Sequence, residues 1–408
     1  MSGFDLLPKQ QQAFTKLLEN KVGALFMKMG TGKTRVALEL VNAVSDLDLV
    51  VWVAPLRTIK PLNDSTCSVI DEVSKWGGFK ADNVMFIGVE TIQSSDRQYL
   101  DLYKKIEQSQ KCFLIVDESI KIKNAEAKRT KRLLELSRMA EFKLILNGEP
   151  ITEDLLDIWA QFEFLDPEIL HMRQDEFKNT FCKYTTITKR FGGYKQYSKE
   201  FITGYENIDY LYSLIGEYVY ECDLELNVEQ IFETKNYSLS DEEKQEYQFL
   251  KEKYLDNERL LAMNNNIFLE MTQKMQHGYC CNQEKVKLAR EWIKDEAKTI
   301  IFCKYIASAE LCKKAFPKAL VLNYKTGSLG LNLQDRPYTV YFDQTFDWGD
   351  VVQSQHRNYR TGQEHDCRYL RLIGSVGLEK LMFENNKKKI GTAEYLKKIS
   401  KNELNKII

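Results

Sequence analysis

The sequence predicts an α/β protein with two parallel-sheet domains and a mainly helical insertion between them. Short, continuously apolar runs alternate with helical stretches between Val22 and Leu146, which is typical of parallel strands covered by helices on both faces. The same alternation returns from Thr299 onward, and segments rich in aromatic and charged residues lie between the two regions. We expect domains at residues 1–160 and 271–408, with the insertion at 161–270.

Length and composition limit the class of protein. A chain of 408 residues with 43% hydrophobic and 29% charged residues is long enough for roughly two or three globular domains. The sequence has no apolar run of the ~20 residues that span a bilayer and no N-terminal signal pattern, so we expect an intracellular protein. Nine scattered cysteines without a C-x-x-C pair disfavour a zinc site or a disulfide framework.

The formal net charge is −1, which provides no global attraction to nucleic acid. Any binding to nucleic acid must therefore come from local basic patches.

The first predicted helix begins at Pro8 and carries three consecutive glutamines. A glutamine carboxamide just before the first strand can pair with N6 and N7 of adenine together, and Gln10 is our candidate. The alternative is that the glutamines form an ordinary solvated helix face.

The stretch Leu25–Arg35 organises the rest of the chain. An apolar strand, Val22–Met27, enters a turn with Gly30 and Gly32, and a helical pattern follows. Backbone N–H groups of such a loop face an anion, a lysine reaches the β- and γ-phosphates, and a threonine hydroxyl ligates Mg²⁺. Met27 stands where the strict pattern has its first glycine, and an ordinary turn before a helix is the alternative. The candidate ATP ligands are Gln10, Met29, Gly30, Thr31, Gly32, Lys33 and Thr34, with Thr34 also a metal ligand.

An acidic pair follows one of the later apolar runs. The predicted strands are Leu49–Ala54, Val84–Ile87, Phe113–Val116 and Lys143–Leu146. Ligands in parallel sheets bind beyond the carboxyl ends of the strands. Asp117 is therefore a candidate Mg²⁺ ligand, and Glu118 is the candidate base that orients and deprotonates the attacking water. A solvent-exposed acidic turn is the alternative.

Three further segments are weaker candidates. Asn147-Gly148-Glu149-Pro150 forms a strand-end turn with a candidate coupling role. The basic stretch Lys121–Arg132 can either track a phosphate backbone or form a solvated helix face. Lys189–Lys195 resembles a basic, aromatic hairpin tip, for which nucleic-acid contact and a plain surface hairpin are the two interpretations.

The second domain is predicted from strands at Thr299–Cys303, Ala319–Leu322, Thr339–Phe342 and Cys367–Ile373. Two polar segments accompany them, the Gly-rich Thr326–Gln334 and the arginine-rich Gln353–Gln363. Arg357 and Arg360 are three residues apart, so on a helix they project from one face. Two guanidinium groups placed in this way can stabilise the charge that develops on a phosphoryl group, an effect worth about 10³ to 10⁵ in rate. An arginine-rich surface helix is the alternative.

In this order, the segments resemble superfamily-two helicase-like motors and, within them, the Swi/Snf-type DNA translocases. The resemblance runs through nearly the whole chain, and the pattern Arg-x-x-Arg-x-Gly-Gln is its most specific part. The matching segments are Leu7–Gln10, Met29–Thr34, Val53–Pro55, Asp117–Ser119, Ile122–Asn124, Asn147–Pro150, Ser328–Gln334 and Gln353–Gln363.

The resemblance implies two RecA-like domains of the P-loop NTPase fold, with ATP and Mg²⁺ between them and duplex DNA across both. It also implies a coupling or DNA-contacting role for Asn147, Gly148, Gly330, Asn332 and Gln353. By analogy, compact motors of this kind resemble phage or bacterial replication and recombination proteins, which would place the chain in the cytoplasm.

The sequence also departs from the family pattern. Ser119-Ile120 replaces a usual Ala-His pair, Glu149 replaces a threonine, Tyr220–Cys222 replaces paired arginines, and Cys303–Gly327 is short for the family.

We therefore expect an ATP-dependent DNA translocase or helicase with Lys33, Glu118, Arg357 and Arg360 as catalytic residues. One alternative is an ATP-binding nucleic-acid scaffold or switch with negligible turnover. The other is a motor that acts on RNA.

Overall fold

A computed structural model provides the fold. The structure describes residues 5–60, 68–148, 150–151, 155–191, 195–255, 265–324, 333–345 and 347–387. Internal contacts divide the chain into two units, Met1–Leu224 and Glu225–Ile408. The sequence predicts boundaries at residues 160 and 270 instead, so the expected insertion is shared between the two units.

The first unit is built on a six-stranded sheet whose paired strands are all parallel. The strand order is β3-β2-β4-β5-β1-β8. The strands are β1 (Val22–Met27), β2 (Leu49–Ala54), β3 (Val84–Gly88), β4 (Cys112–Asp117), β5 (Phe142–Asn147) and β8 (Val219–Cys222), and an antiparallel hairpin is formed by β6 (Cys182–Phe191) and β7 (Lys195–Tyr205).

Helices connect these strands and cover the sheet. They are α1 (Pro8–Leu17), α2 (Lys33–Ala43), α3 (Leu56–Ile59), α4 (Val69–Lys75), α5 (Val89–Ser94), α6 (Asp96–Gln108), α7 (Lys128–Ser137), α8 (Leu156–Leu165), α9 (Pro167–Leu170), α10 (Gln174–Phe181) and α11 (Ile208–Ile215), with a 3₁₀ turn at Ser119–Ile122. Every residue of β1 and β2 is buried, because one apolar cluster covers each face of the sheet. Burial on both faces explains why these strands are continuous apolar runs.

The second unit is built on a five-stranded parallel sheet of order β11-β10-β12-β13-β9. Its strands are β9 (Gln230–Tyr237), β10 (Thr299–Cys303), β11 (Leu320–Asn323), β12 (Tyr338–Tyr341) and β13 (Cys367–Gly374). Its helices are α12 (Asp241–Leu255), α13 (Asn265–Gly278), α14 (Gln283–Trp292), α15 (Ile306–Ala315), α16 (Trp348–Gln355) and α17 (Gly377–Lys387). Two apolar clusters again form the core.

The predicted fold class, an α/β protein with two parallel sheets, is confirmed. The middle of the chain differs from the prediction in one respect. The apolar pattern predicts no parallel strand between Asp154 and Asn266, but β8 and β9 lie there and join the first and second sheets at their edges. In both strands, exposed residues lie between more buried ones, because edge strands are only partly covered.

Among the helices of the described residues, none has both the length and the apolar character needed to cross a bilayer.

Candidate nucleotide-binding site

The turn after β1 has the backbone geometry of a Gly-rich anion-binding loop. Gly30 and Gly32 adopt left-handed φ angles of 83° and 85°, which glycine accepts at little cost. Thr31 closes the turn, since its hydroxyl donates to the Lys28 carbonyl at 2.7 Å. Helix α2 then begins at Lys33, so its N-terminal end directly follows the loop.

Lys33 is held over this loop by its own chain. Its ammonium nitrogen donates to the carbonyl oxygens of Met27 at 2.8 Å and Lys28 at 3.4 Å. Thr34 follows at the second position of α2, where it is partly buried. Met29 to Thr34 thus form one continuous loop and helix start, as the sequence predicts.

Gln10 lies against the same loop. Its Nε2 donates to the Thr31 carbonyl at 2.9 Å, and its Oε1 accepts from the Leu7 amide at 3.1 Å. A Cβ on Gly32 would stand 2.3 Å from Gln10 Nε2, so the glycine permits this close approach. The structure therefore places Gln10 as a support of the loop; its predicted role toward adenine stays a prediction.

Three strand ends meet beside the loop. Strands β4, β5 and β1 are consecutive in the sheet, so Asp117, Asn147 and the loop emerge at neighbouring carboxyl ends. Asn147 is buried. A Cβ on Gly148 would lie 3.3 Å from Met29 Cγ and 3.8 Å from Lys33 Nζ. The turn after β5 therefore packs directly on the loop, and Glu149 lies outside the described residues.

The acidic pair has a strained backbone and a perturbed carboxyl group. Glu118 adopts a left-handed φ of 55°, which is unusual for a residue with a side chain and is typical of functional sites. Burial, and to a smaller extent the nearby Glu118 carboxylate, raise the pKa of Asp117 to about 7. The Lys33 ammonium and the Glu118 backbone N–H oppose this rise in pKa, because both stabilise the charged carboxylate.

These groups fit a hard divalent cation. Mg²⁺ prefers oxygen ligands and binds through one or two protein groups together with substrate phosphates. The Asp117 carboxylate and the Thr34 hydroxyl are oxygen donors, and a carboxylate whose charge is disfavoured by burial gains most from a bound cation.

A buried bridge beside the acidic pair was not predicted from the sequence. The Ser119 hydroxyl donates to Gln161 Oε1 at 2.6 Å, and both residues are fully buried. Gln161 Nε2 in turn donates to the carbonyl oxygens of Pro150 at 2.9 Å and Asp157 at 2.7 Å. The partner lies 42 positions away in the sequence, so residue spacing gives no signal for this contact.

The arginine pair of the second unit does not lie on a helix, and this part of the prediction is wrong. Helix α16 ends at Gln355, and Arg357 and Arg360 follow in a turn, His356–Gln363, that we call the arginine turn. Gly362 in this turn has a left-handed φ of 93°, which is incompatible with a continuing helix. Arg357 is buried and Arg360 half-buried.

Of the remaining candidate coupling residues, the structure describes one. Gln353 lies in α16 and is half-buried. Gly330 and Asn332 lie outside the described residues.

Several residues of the basic stretch in the first unit pair with nearby acidic side chains. Lys128 and Arg132 of α7 both pair with Asp96, and Lys131 pairs with Glu126 at 2.5 Å. These partners favour the interpretation of α7 as a solvated helix face. The hairpin of β6 and β7 is present, as predicted, and its tip at residues 192–194 lies outside the described residues.

Comparison with known proteins finds a family model and several relatives. The family model described as "SNF2-related domain" matches residues 79–286, which is just over half of the chain. An uncharacterized ATP-dependent helicase of Mycoplasma pneumoniae is 23% identical over 306 residues, covering 65% of this chain and 29% of the relative. The transcription regulatory protein SNF2 of Saccharomyces cerevisiae is 22% identical over 343 residues, covering 68% of this chain and 20% of the relative.

A viral relative and a solved structure complete the comparison. Nucleoside triphosphatase I of Choristoneura biennis entomopoxvirus is 23% identical over 174 residues, covering 38% of this chain and 26% of the relative. The solved SWI2/SNF2 ATPase core of Sulfolobus solfataricus in complex with dsDNA has a TM-score of 0.44 and 17% identity, with 99% of this chain and 97% of that chain covered. The chain spans less than a third of the length of these curated relatives. Because the family model spans half of its length, the chain belongs to the SNF2-related family.

Proposed function

We propose that the protein is an ATP-dependent DNA translocase or helicase that hydrolyses ATP at the loop after β1. The observation that carries the proposal is the convergence of Lys33, Gly148 and Asp117 at one edge of the first sheet. A cation, an acidic pair and an anion-binding loop at neighbouring strand ends are what phosphoryl transfer requires. Two relatives, an ATP-dependent helicase and a nucleoside triphosphatase, have names that agree with this proposal.

Each residue of the site has an assigned role. Bound ATP and Mg²⁺ would supply the phosphoryl group and the Lewis acid that polarises it. Lys33 leaves its carbonyl partners to hold phosphate oxygens, and Thr34 and Asp117 hold the metal. Glu118 orients the attacking water and accepts its proton, since it directly follows Asp117 at the carboxyl end of β4. Gln10 supports the loop and recognises the base.

We assign to Arg357 and Arg360 the role of stabilising the negative charge that develops in the transition state. A guanidinium stays protonated at any physiological pH and presents a rigid set of donors to phosphate oxygens. Removal of either arginine should lower turnover more than it weakens ATP binding.

DNA is the proposed substrate. The continuation Ile122-Lys123-Asn124 and the final motif Gln353–Gln363 resemble those of DNA translocases, and we place coupling at Asn147, Gly148, Gly330, Asn332 and Gln353. Analogy with compact phage and bacterial motors points to replication or recombination in the cytoplasm.

A phosphate-release assay tests the function. The purified chain is mixed with ATP and Mg²⁺, alone and with duplex DNA, forked DNA, single-stranded DNA or RNA. We expect turnover that DNA stimulates and RNA does not. Stimulation by RNA alone would transfer the proposal to an RNA motor. ATP binding without turnover would favour a scaffold, the alternative suggested by the missing Ala-His pair.

A further inference from the structure

Asn358 lies in the arginine turn, directly after Arg357, and is fully buried. Its Nδ2 donates to the Arg336 carbonyl at 3.0 Å and to Thr339 Oγ1 at 3.1 Å. Its Oδ1 accepts from the Tyr369 hydroxyl at 2.9 Å. Both amide hydrogens and the amide oxygen are therefore engaged, which fixes the side chain in one orientation.

Tyr369 provides a rigid attachment point. It lies on β13 and is fully buried, and its ring stacks between Tyr341 and Phe232 with centroid distances of 6.2 and 4.7 Å. Gln230 Nε2 donates to the Tyr369 hydroxyl at 3.1 Å. The hydroxyl proton is shared between two acceptors, Asn358 Oδ1 at 2.9 Å and the Gln355 carbonyl at 3.3 Å. The tyrosine thus connects the sheet to the chain on both sides of Arg357.

A second attachment closes the turn. Gln363 Nε2 donates to the carbonyl oxygens of Asn358 and Gln334, each at 3.0 Å. The Leu333 amide donates to the Arg357 carbonyl at 3.0 Å, and the Gln363 amide donates to the Arg360 carbonyl at 3.0 Å. The backbone on which both arginines stand is therefore held at several points to buried groups of the second unit.

We propose that Asn358 and Tyr369 are positioning residues for Arg357 and Arg360. The inference deepens the proposed function and rests on it for what the arginines do. A turn lacks the repeating hydrogen bonds that would hold a helix, so side-chain anchors must take their place. A charge stabiliser displaced by about 1 Å loses about 100-fold in rate, and loss of the anchor should produce a shift of that size.

The test compares Asn358→Ala and Tyr369→Phe with a matched control, Tyr324→Phe. Tyr324 is a buried tyrosine of the same stacked cluster, but its hydroxyl donates to the Asp343 carbonyl at 2.8 Å and does not contact the turn. We expect kcat to fall about 10- to 100-fold in the two test variants, with KM for ATP unchanged and the control at wild-type rate.

Two further measurements separate positioning from a structural role. Asn358→Ala added to a double variant that carries Arg357→Ala and Arg360→Ala should cause no further loss of kcat, because the groups that it positions are gone. Backbone hydrogen exchange at Leu333 and Gln363 should be faster in Asn358→Ala and unchanged in Tyr324→Phe. Should Asn358→Ala fail to fold, Tyr369→Phe decides, since it keeps the stacked ring.

The results that overturn the inference are distinct from those that overturn the function. Unchanged exchange in Asn358→Ala, or an additional loss of kcat without the two arginines, would overturn the positioning role while leaving the ATPase intact. A wild-type chain that does not hydrolyse ATP would contradict the proposed function, and the catalytic part of this inference with it.

Discussion

Ser119 donates a 2.6 Å hydrogen bond to Gln161, and this contact joins the acidic strand end to the turn after β5. Gln161 completes the connection through the Pro150 carbonyl. Ser119 directly follows Glu118, the proposed base, whose backbone is strained. The contact therefore holds the backbone next to that base.

Replacing this serine should cost stability. In Ser119→Ala, Gln161 Oε1 loses its buried donor, and we expect the free energy of unfolding to fall by about 1–3 kcal/mol. Urea denaturation measures the change. Ser45→Ala is a suitable control, because only its backbone carbonyl takes part in a hydrogen bond, with Lys111. An unfolding midpoint for Ser119→Ala equal to that of the control would contradict the structural role of the contact.

The loop glycine offers a second prediction. Gly32→Ala should weaken binding of an ATP analogue, because a Cβ there would displace Gln10 Nε2, at 2.3 Å, and the φ of 85° is strained for alanine. Gly78→Ala is the matched control, since Gly78 also has a left-handed φ, of 75°, but has nothing within 4 Å of its Cβ position. Isothermal titration with a non-hydrolysable analogue measures both.

The Gly32 experiment also isolates the steric cause. Adding Gln10→Ala to Gly32→Ala removes the clashing group. The midpoint of thermal unfolding should therefore be higher in the double variant than in Gly32→Ala alone. An equal loss of analogue binding in Gly32→Ala and Gly78→Ala would mean that backbone strain, and not the approach of Gln10, weakens binding.

The charge of α7 should contribute little to DNA binding. Lys131 is paired with Glu126, so Lys131→Ala should leave the slope of log affinity against log salt unchanged. The hairpin strands from Cys182 to Tyr205 hold five lysine or arginine residues and one glutamate, so Lys189→Ala with Arg190→Ala should reduce that slope by about two. Fluorescence anisotropy at several salt concentrations compares them. A larger change of slope for Lys131→Ala than for the hairpin variant would contradict the prediction that α7 contributes little to DNA binding.

Asp96 should make stability depend on pH in the acid range. Arg132 and Lys128 hold the pKa of Asp96 at about 2, below its ordinary 3.8. A lowered folded-state pKa means that the stabilisation is complete above the ordinary value and is lost as the pH falls from about 4 to about 2. The difference in unfolding free energy between wild type and Asp96→Asn should therefore be constant above about pH 5 and shrink toward pH 2.

Salt provides the control for the pH experiment. Asp96 is exposed, so high salt should reduce the difference between wild type and Asp96→Asn at every pH. A difference that grows as the pH falls would be inconsistent with the ion pairs.

Strongly apolar strands could be predicted from the sequence, including β3 and β11 at sheet edges, but the edge strands β8 and β9 could not. Thr299–Cys303 was predicted with its observed bounds because a parallel strand covered on both faces is apolar throughout. Strand β9, at the edge of the same sheet, is not predicted, because its stretch from Glu233 to Asn236 is polar throughout.

The candidate site likewise combines features that a local sequence pattern reveals with contacts that it does not. The loop from Met29 to Thr34 is local in sequence and was predicted. The spacing of Arg357 and Arg360 is shared by helices and turns, so it could not reveal that Asn358 bonds to Thr339 and Tyr369 instead of continuing α16. The pairing of Lys128 with Asp96, 32 positions upstream, is likewise invisible in a local pattern.

The central claim is that Lys33 and Glu118 act on one bound triphosphate. The most direct measurement is DNA-stimulated phosphate release by wild type, Lys33→Ala and Glu118→Gln, with ATP binding measured on the same samples. We predict that both variants fold and lose turnover, and that Glu118→Gln still binds ATP while Lys33→Ala binds it poorly. Wild-type turnover in either variant would contradict the account.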